Sequence, residues 1–251
     1  MLEGRRHRGP LVVQRPFYPE GRDPCHVYVV HPPGGLTGGD ELEVSVRVGA
    51  GASALVTTPA ATKVYRTPGR PARQVVRARV EEGAALEWLP QETLTFDACR
   101  FDSDVEITAD RGARVVVWDV VSLGMPHPEG AFRRGWYQGR LALVRQGVVE
   151  LVDRTRVEAR GEVAQAAFGL GGERALGTMV ALPVSAEGLA LARTQESPSG
   201  HAGVTLLGDV LVARAVGPDA ADVRRWFAGL WASLRPEVTG RAKYAPRIWA
   251  T

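Results

Sequence analysis

Carboxylates stand where this sequence should be apolar. Asp119 interrupts the run "VVVWDVVSL", Glu92 sits in "LPQETLTF", Asp40 and Glu43 bracket the start of "ELEVSVRV", and Asp153 and Glu158 lie on "ELVDRTRVE". A carboxylate inside a valine run is costly unless it is paired, hydrated or used. For Asp119 two readings are open. One is a buried pair with arginine. The other is a water-filled, acid-lined interior suited to transient binding of a hard or borderline divalent cation through oxygen ligands.

Other chemistry is thinner. "HPPGGLTGGD" packs four glycines and two prolines into His31–Asp40. A phosphate loop would continue into Gly-Lys-Ser/Thr and a helix, whereas this one runs into Asp40, Glu41 and a period-2 strand. It therefore does not hold nucleotide phosphates and reads as a tight structural corner. Cys25 and Cys99 are the only cysteines and form no CxxC, which argues against structural zinc and a disulfide framework. Cys25, His26 and His31 are neighbours in sequence. Six residues of strand span about 20 Å, so they read as unrelated strand residues. His127 and Glu129 in "GMPHPEG" could touch a divalent ion but read as a surface turn. No GxSxG elbow is present, and the five histidines have no recognisable catalytic partners.

The elements that must position these residues are strands. "HVYVVHP", "ELEVSVRV", "RQVVRARV", "SDVEITA" and "RVVVWDVVSL" are β-branched, roughly alternating and punctuated by Gly or Pro. A weak repeat begins at Arg47, Arg79 and Thr108, each copy passing through a glycine turn (Gly51, Gly83, Gly112) into an apolar strand. Such a unit cannot bury its own apolar face, so the copies must stack. The expectation is an all-β core, helix-like or sandwich-like, in a single domain over 1–251. One helix is expected at about 219–234, started by Pro218 and Asp219 and stopped by Pro236, with an extended tail over 236–251. Its apolar face carries Trp226 and Trp231. That face packs on the core or, with Arg247 and Trp249 of the tail, docks a partner.

The formal net charge of +3 is mild and the arginines are scattered among acids, which disfavours nucleic-acid binding. No run approaches the roughly 18 apolar residues of a membrane span. No secretory segment is visible, and the expectation is a soluble, cytoplasmic protein.

Four blocks carry a resemblance: "HPPGGLTGGD" (31–40), "TTPAATKVYR" (57–66), "LEWLPQETLTF" (86–96) and "LRPEVTGRAKYAPRIWAT" (234–251). In this order they resemble the urease accessory protein family UreD, called UreH in some bacteria. The resemblance implies a β-helix-like stacked core with a few helices and a non-enzymatic role. It implies partnership with UreF, the GTPase UreG and apo-urease, and delivery of Ni²⁺ through an internal tunnel, with no tightly bound cofactor. It makes Asp40, Glu92 and Asp119 the first candidates for tunnel-lining carboxylates, followed by Glu43 and Glu158. One departure is "GMPHPEGAF", where many relatives read Gly-Arg-x-x-x-Gly-Glu; here Met125 replaces the arginine. Two rival readings are an enzyme built on a β-helix, and a purely structural adaptor that recruits UreF and UreG without conducting metal.

Overall fold

The computed structural model describes residues 2–250, so residues 1 and 251 of the expected domain lie outside the described part. In chain order the strands are β1 (Val12–Val13), β2 (Cys25–Val30), β3 (Gly35–Leu36), β4 (Glu41–Val48), β5 (Ser53–Thr57), β6 (Thr62–Val64), β7 (Ala72–Val80) and β8 (Ala85–Trp88). They continue as β9 (Thr93–Thr95), β10 (Cys99–Ala109), β11 (Arg114–Leu123), β12 (Gly135–Arg145) and β13 (Val148–Glu158). After α1 (Glu162–Gln165) come β14 (Ala175–Leu182), α2 (Ala186–Arg193), β15 (His201–Leu207), β16 (Val210–Gly217) and α3 (Ala220–Thr239).

The repeat becomes successive coils of a solenoid-like stack. β4, β7 and β10 pair in parallel in one sheet, and β5, β8 and β11 pair in parallel in a second. The three repeat starts lie side by side: Arg47 is opposite Arg79, which is opposite Thr108. Gly51, Gly83 and Gly112 turn each coil with φ of +67°, +65° and +67°, a left-handed conformation that glycine adopts without steric cost. The smaller sheet has the order β13-β12-β10-β7-β4, and the larger runs β1-β2-β5-β8-β11-β14-β16-β15 with β3, β6 and β9 beside it.

Period 2 divides β11, in the larger sheet, between two cores. Along β11, Val115 and Val117 enter the space between the sheets, whereas Val116, Trp118 and Val120 pack on the far side of the larger sheet beneath α3. Asp119 shares the parity of Val115 and Val117, so it faces the space between the sheets.

Helix α3 departs from the expected boundaries. The Asp219 carboxylate accepts from the Ala221 N–H and caps the start, but the helix passes Pro236 and ends at Gly240 in the left-handed conformation. An interior proline costs about 3 kcal/mol. Burial of Leu234, Arg235, Val238 and Thr239 around it outweighs that cost. Residues 236–239 of the expected tail are thus helical, and Arg247–Ala250 form a 3₁₀ turn.

Candidate functional site

Asp119 lies on β11, half-buried and facing the space between the sheets. Its carboxylate accepts from the Ser103 hydroxyl on β10 at 3.1 Å and the Tyr137 hydroxyl on β12 at 3.4 Å. Among the described residues no arginine, lysine or histidine pairs with it. Burial pushes its pKa above the ordinary carboxylate value, and the hydrogen bonds from Ser103, Tyr137 and the Val120 N–H only partly oppose that. Burial and the neighbouring Asp119 likewise raise the Tyr137 phenol.

Asp119 forms part of the wall of two cavities. The larger, about 210 Å³, lies between β2, the glycine loop, β4, β7 and the ends of β5 and β8; its polar lining is His31, Thr58, Thr62, Gln74, Gln91 and Thr93 together with Asp119. The smaller, about 30 Å³, is lined on its far side by Tyr137, Asp153, Gly177 and Thr178. It shares Gly139, Arg140 and Thr155 with an open recess of about 430 Å³ on the smaller sheet, where Asp102 and Asp104 lie. Asp119 is thus a wall residue common to the two cavities, and the smaller one shares three wall residues with the recess on the outer face of β12 and β13.

The other expected acids are elsewhere. Asp40 is exposed, and its carboxylate accepts from the Thr37 N–H at 2.7 Å and hydroxyl at 3.2 Å. It closes the glycine corner, while His31, Pro32 and Gly34 of that loop reach the cavity. Glu43 points outward from β4, and its neighbours Leu42 and Val44 line the cavity. Glu92 is held by Arg224 of α3 at 2.9 Å, and Gln91 and Thr93 on either side of it face the cavity. Glu158 is a surface residue 3.2 Å from Arg156. On the same strand and the opposite face, Asp153 turns inward to Thr178 and Arg214. Of the five acids singled out by sequence, the structure brings only Asp119 to the cavity wall.

The aromatic docking face is also corrected. Trp231 is fully buried with its indole N–H donated to Glu87 at 2.6 Å, and Trp226 is only 7% exposed. Trp249 folds back to donate to the Thr57 hydroxyl at 2.9 Å and lies 5.7 Å from Trp118 and 5.5 Å from Trp231. These rings hold the helix and tail onto the sheet. Arg247 is exposed. The His127 turn is exposed as well, with the ring Nδ1 accepting from the Gly130 N–H.

One polar cluster was missed by sequence reasoning. Arg235 of α3 is fully buried and binds Glu87 at 2.8 Å and Glu20 at 2.7 Å; Glu20 also meets His26 Nε2 at 2.7 Å. Burial pushes Glu20 up, but hydrogen bonds from Arg235 and His26 outweigh it and leave the carboxyl below its ordinary range. The signal available was the one used for Asp119: Glu87 interrupts the apolar stretch "AALEWLP". His31, by contrast, has a buried Nδ1 with no partner, and burial lowers its pKa against the charge of Asp40. The described residues contain no group of three His, Cys, Asp or Glu side chains that could hold a metal ion together.

Comparison with known proteins assigns the chain. The profile of the UreD urease accessory protein family matches residues 1–250. The chain belongs to the UreD family. It is 41% identical to the urease accessory protein UreD of Pseudomonas entomophila over 251 residues, covering all of this chain and 88% of that protein. The Nostoc sp. UreD is 37% identical, covering 97% of this chain and 88% of its own length. That of Azoarcus sp. is 40% identical, covering all of this chain and 89% of its own. No helix among the described residues is long and apolar enough to cross a membrane.

Proposed function

We propose that this chain is a non-catalytic urease maturation factor of the cytoplasm that assembles with UreF, UreG and apo-urease and passes Ni²⁺ to the urease active site. Family membership supports the maturation role. The single observation that carries the conduit is Asp119, a carboxylate without a cationic partner on the common wall of two cavities. A dication crossing the space between the sheets needs oxygen donors to replace shed water. The Asp119 carboxylate, the Thr58 and Tyr137 hydroxyls and the amide oxygens of Gln74 and Gln91 offer them on the walls of the two cavities. Serial weak sites let an ion enter and leave, as in channels. A deep trap would halt transfer.

Two measurements test this reading. Affinity capture of the tagged full chain from cells expressing a urease operon is expected to retain UreF, UreG and urease subunits; capture of none of them contradicts it. Calorimetry on the isolated chain is expected to find weak, exchangeable Ni²⁺ binding, and a nanomolar site would contradict serial transfer. The adaptor reading predicts the same capture but no dependence of nickel loading on Asp119.

A further inference from the structure

The donors on the cavity wall are almost all oxygens. Carboxylate, hydroxyl and amide oxygens are the preferred ligands of Mg²⁺, Ca²⁺ and Mn²⁺, and their intrinsic preference for Ni²⁺ is offset where those ions are in large excess. An oxygen-lined passage would therefore fill with whichever hard dication is most abundant. Discrimination needs a nitrogen or sulfur ligand, since imidazole favours the later first-row metals. Among the residues lining the larger cavity, His31 alone has a nitrogen lone pair on its side chain; the Trp88 indole nitrogen can only donate.

Three features of His31 fit a ligand role. First, its backbone is fixed. It follows β2, its carbonyl accepts from the Gly34 N–H at 2.9 Å, and Pro32 restricts the conformation it can adopt. Second, its ring does no evident structural work, because Nδ1 is buried without a partner, whereas His26 is tied to Glu20 at 2.7 Å. Third, tight metal sites hold a ligating histidine by a hydrogen bond from the other ring nitrogen, and no such partner meets His31 Nδ1. A ligand without that support binds weakly and releases readily.

We propose that His31 is the nitrogen ligand that selects Ni²⁺ over the hard dications at the glycine-loop end of the cavity and hands it toward Asp119. This rests on the conduit reading above, but its test reads binding separately from maturation. The full chain, free of any tag, is loaded with Ni²⁺ in excess Mg²⁺. X-ray absorption at the nickel edge then reports whether imidazole is in the coordination shell, and equilibrium dialysis reports affinity.

The wild type is expected to show imidazole scattering. His31→Gln is expected to lose it, together with at least about 10-fold in Ni²⁺ affinity, the loss that even outer-shell changes bring. Mg²⁺ affinity is expected to stay the same. His201→Gln, an exposed control, is expected to behave as wild type. Retention of the imidazole signature and affinity in His31→Gln would overturn the proposal by placing the metal on other histidines.

If His31→Gln does not fold, the wild type decides alone. Paramagnetic broadening by Ni²⁺ should strike the His31 ring resonances first, and broadening confined to His7, His127 or His201 overturns the assignment. Loss of nickel binding in His31→Gln with normal urease maturation would uphold the ligand and sink the conduit. Loss of both upholds both.

Discussion

Replacing Arg235 by methionine removes the guanidinium that satisfies two carboxylates at once. In the native chain Arg235 Nε lies 2.8 Å from Glu87, its terminal nitrogens lie 2.7 and 2.8 Å from Glu20, and a further bond reaches the Ala242 carbonyl. The Arg235 side chain is wholly buried, and those of Glu87 and Glu20 are 3% and 11% exposed. Removing one partner of a buried pair costs about 3–5 kcal/mol because the other charge is left unpaired. One cation here serves two acids, so a value near the top of that range is expected, a large fraction of the roughly 5–15 kcal/mol total of a typical domain. With a urea slope of about 3 kcal/mol per molar, a cost near the top of that range lowers the unfolding midpoint by about 1.5 M.

The pH dependence changes sign as well. Glu20 in the native chain sits below its ordinary pKa, so its contribution is present above the ordinary carboxylate value and is lost as pH falls through the folded value. Without Arg235, burial, the largest influence on Glu20, is opposed by His26 alone and moves that carboxyl up. Stability is then lost as pH rises through the carboxylate range toward neutrality. Urea titrations of Arg235→Met at pH 5 and 7 should show the lower-pH sample to be the more stable. Arg235→Met/Glu87→Gln should recover part of the loss, since Gln removes one stranded charge and still offers Trp231 an acceptor. An Arg235→Met midpoint equal to wild type at both pH values would refute this account of the cluster.

Three further outcomes are expected. Asp119→Asn should be more stable than wild type at neutral pH, because Asp119 has a raised folded pKa and stability is lost as pH rises from the ordinary carboxylate range through that value. The gap between their urea midpoints should close in acid, and a gap that widens there would contradict the burial of an unpaired acid. Cys99, buried and pushed up to about 12 by burial, should resist iodoacetamide in the folded chain at neutral pH and react once urea unfolds it. Trp249→Ala should cost about 2 kcal/mol by removing a partly buried ring that packs on Trp118 and Trp231; an unchanged midpoint would mean that the tail adds nothing to the fold.

Much of this architecture was legible in the chain. The copies starting at Arg47, Arg79 and Thr108 stack in register because each coil repeats one glycine turn and one apolar strand. β14 was harder to read: it is buried along most of its length, so "ALGTMVAL" lacks the polar alternation that marks a half-exposed strand. β3, β6 and β9 are two or three residues long, too short for any period. Pro236 misled because a stop signal is a local preference, and burial of the last turn of α3 overrode it. At the site, the cost of an acid within a valine run pointed to Asp119, which lies on the cavity wall. The remaining acids could not be placed because sequence parity gives a face and not its surroundings. Leu42 and Val44, rather than Glu43, face the cavity, and Glu92 meets Arg224, a residue 132 positions away.

The conduit stands or falls on nickel reaching urease through the space beside Asp119. The most direct test is the nickel content per active site of urease purified from cells carrying Asp119→Ala, or Ala61→Phe, which places a bulky ring at the wall of the larger cavity. Each sample would be compared with wild type at equal recovery of the accessory complex. Intact complexes with nickel-poor urease are the predicted result, and intact complexes with fully loaded urease in both variants would contradict it.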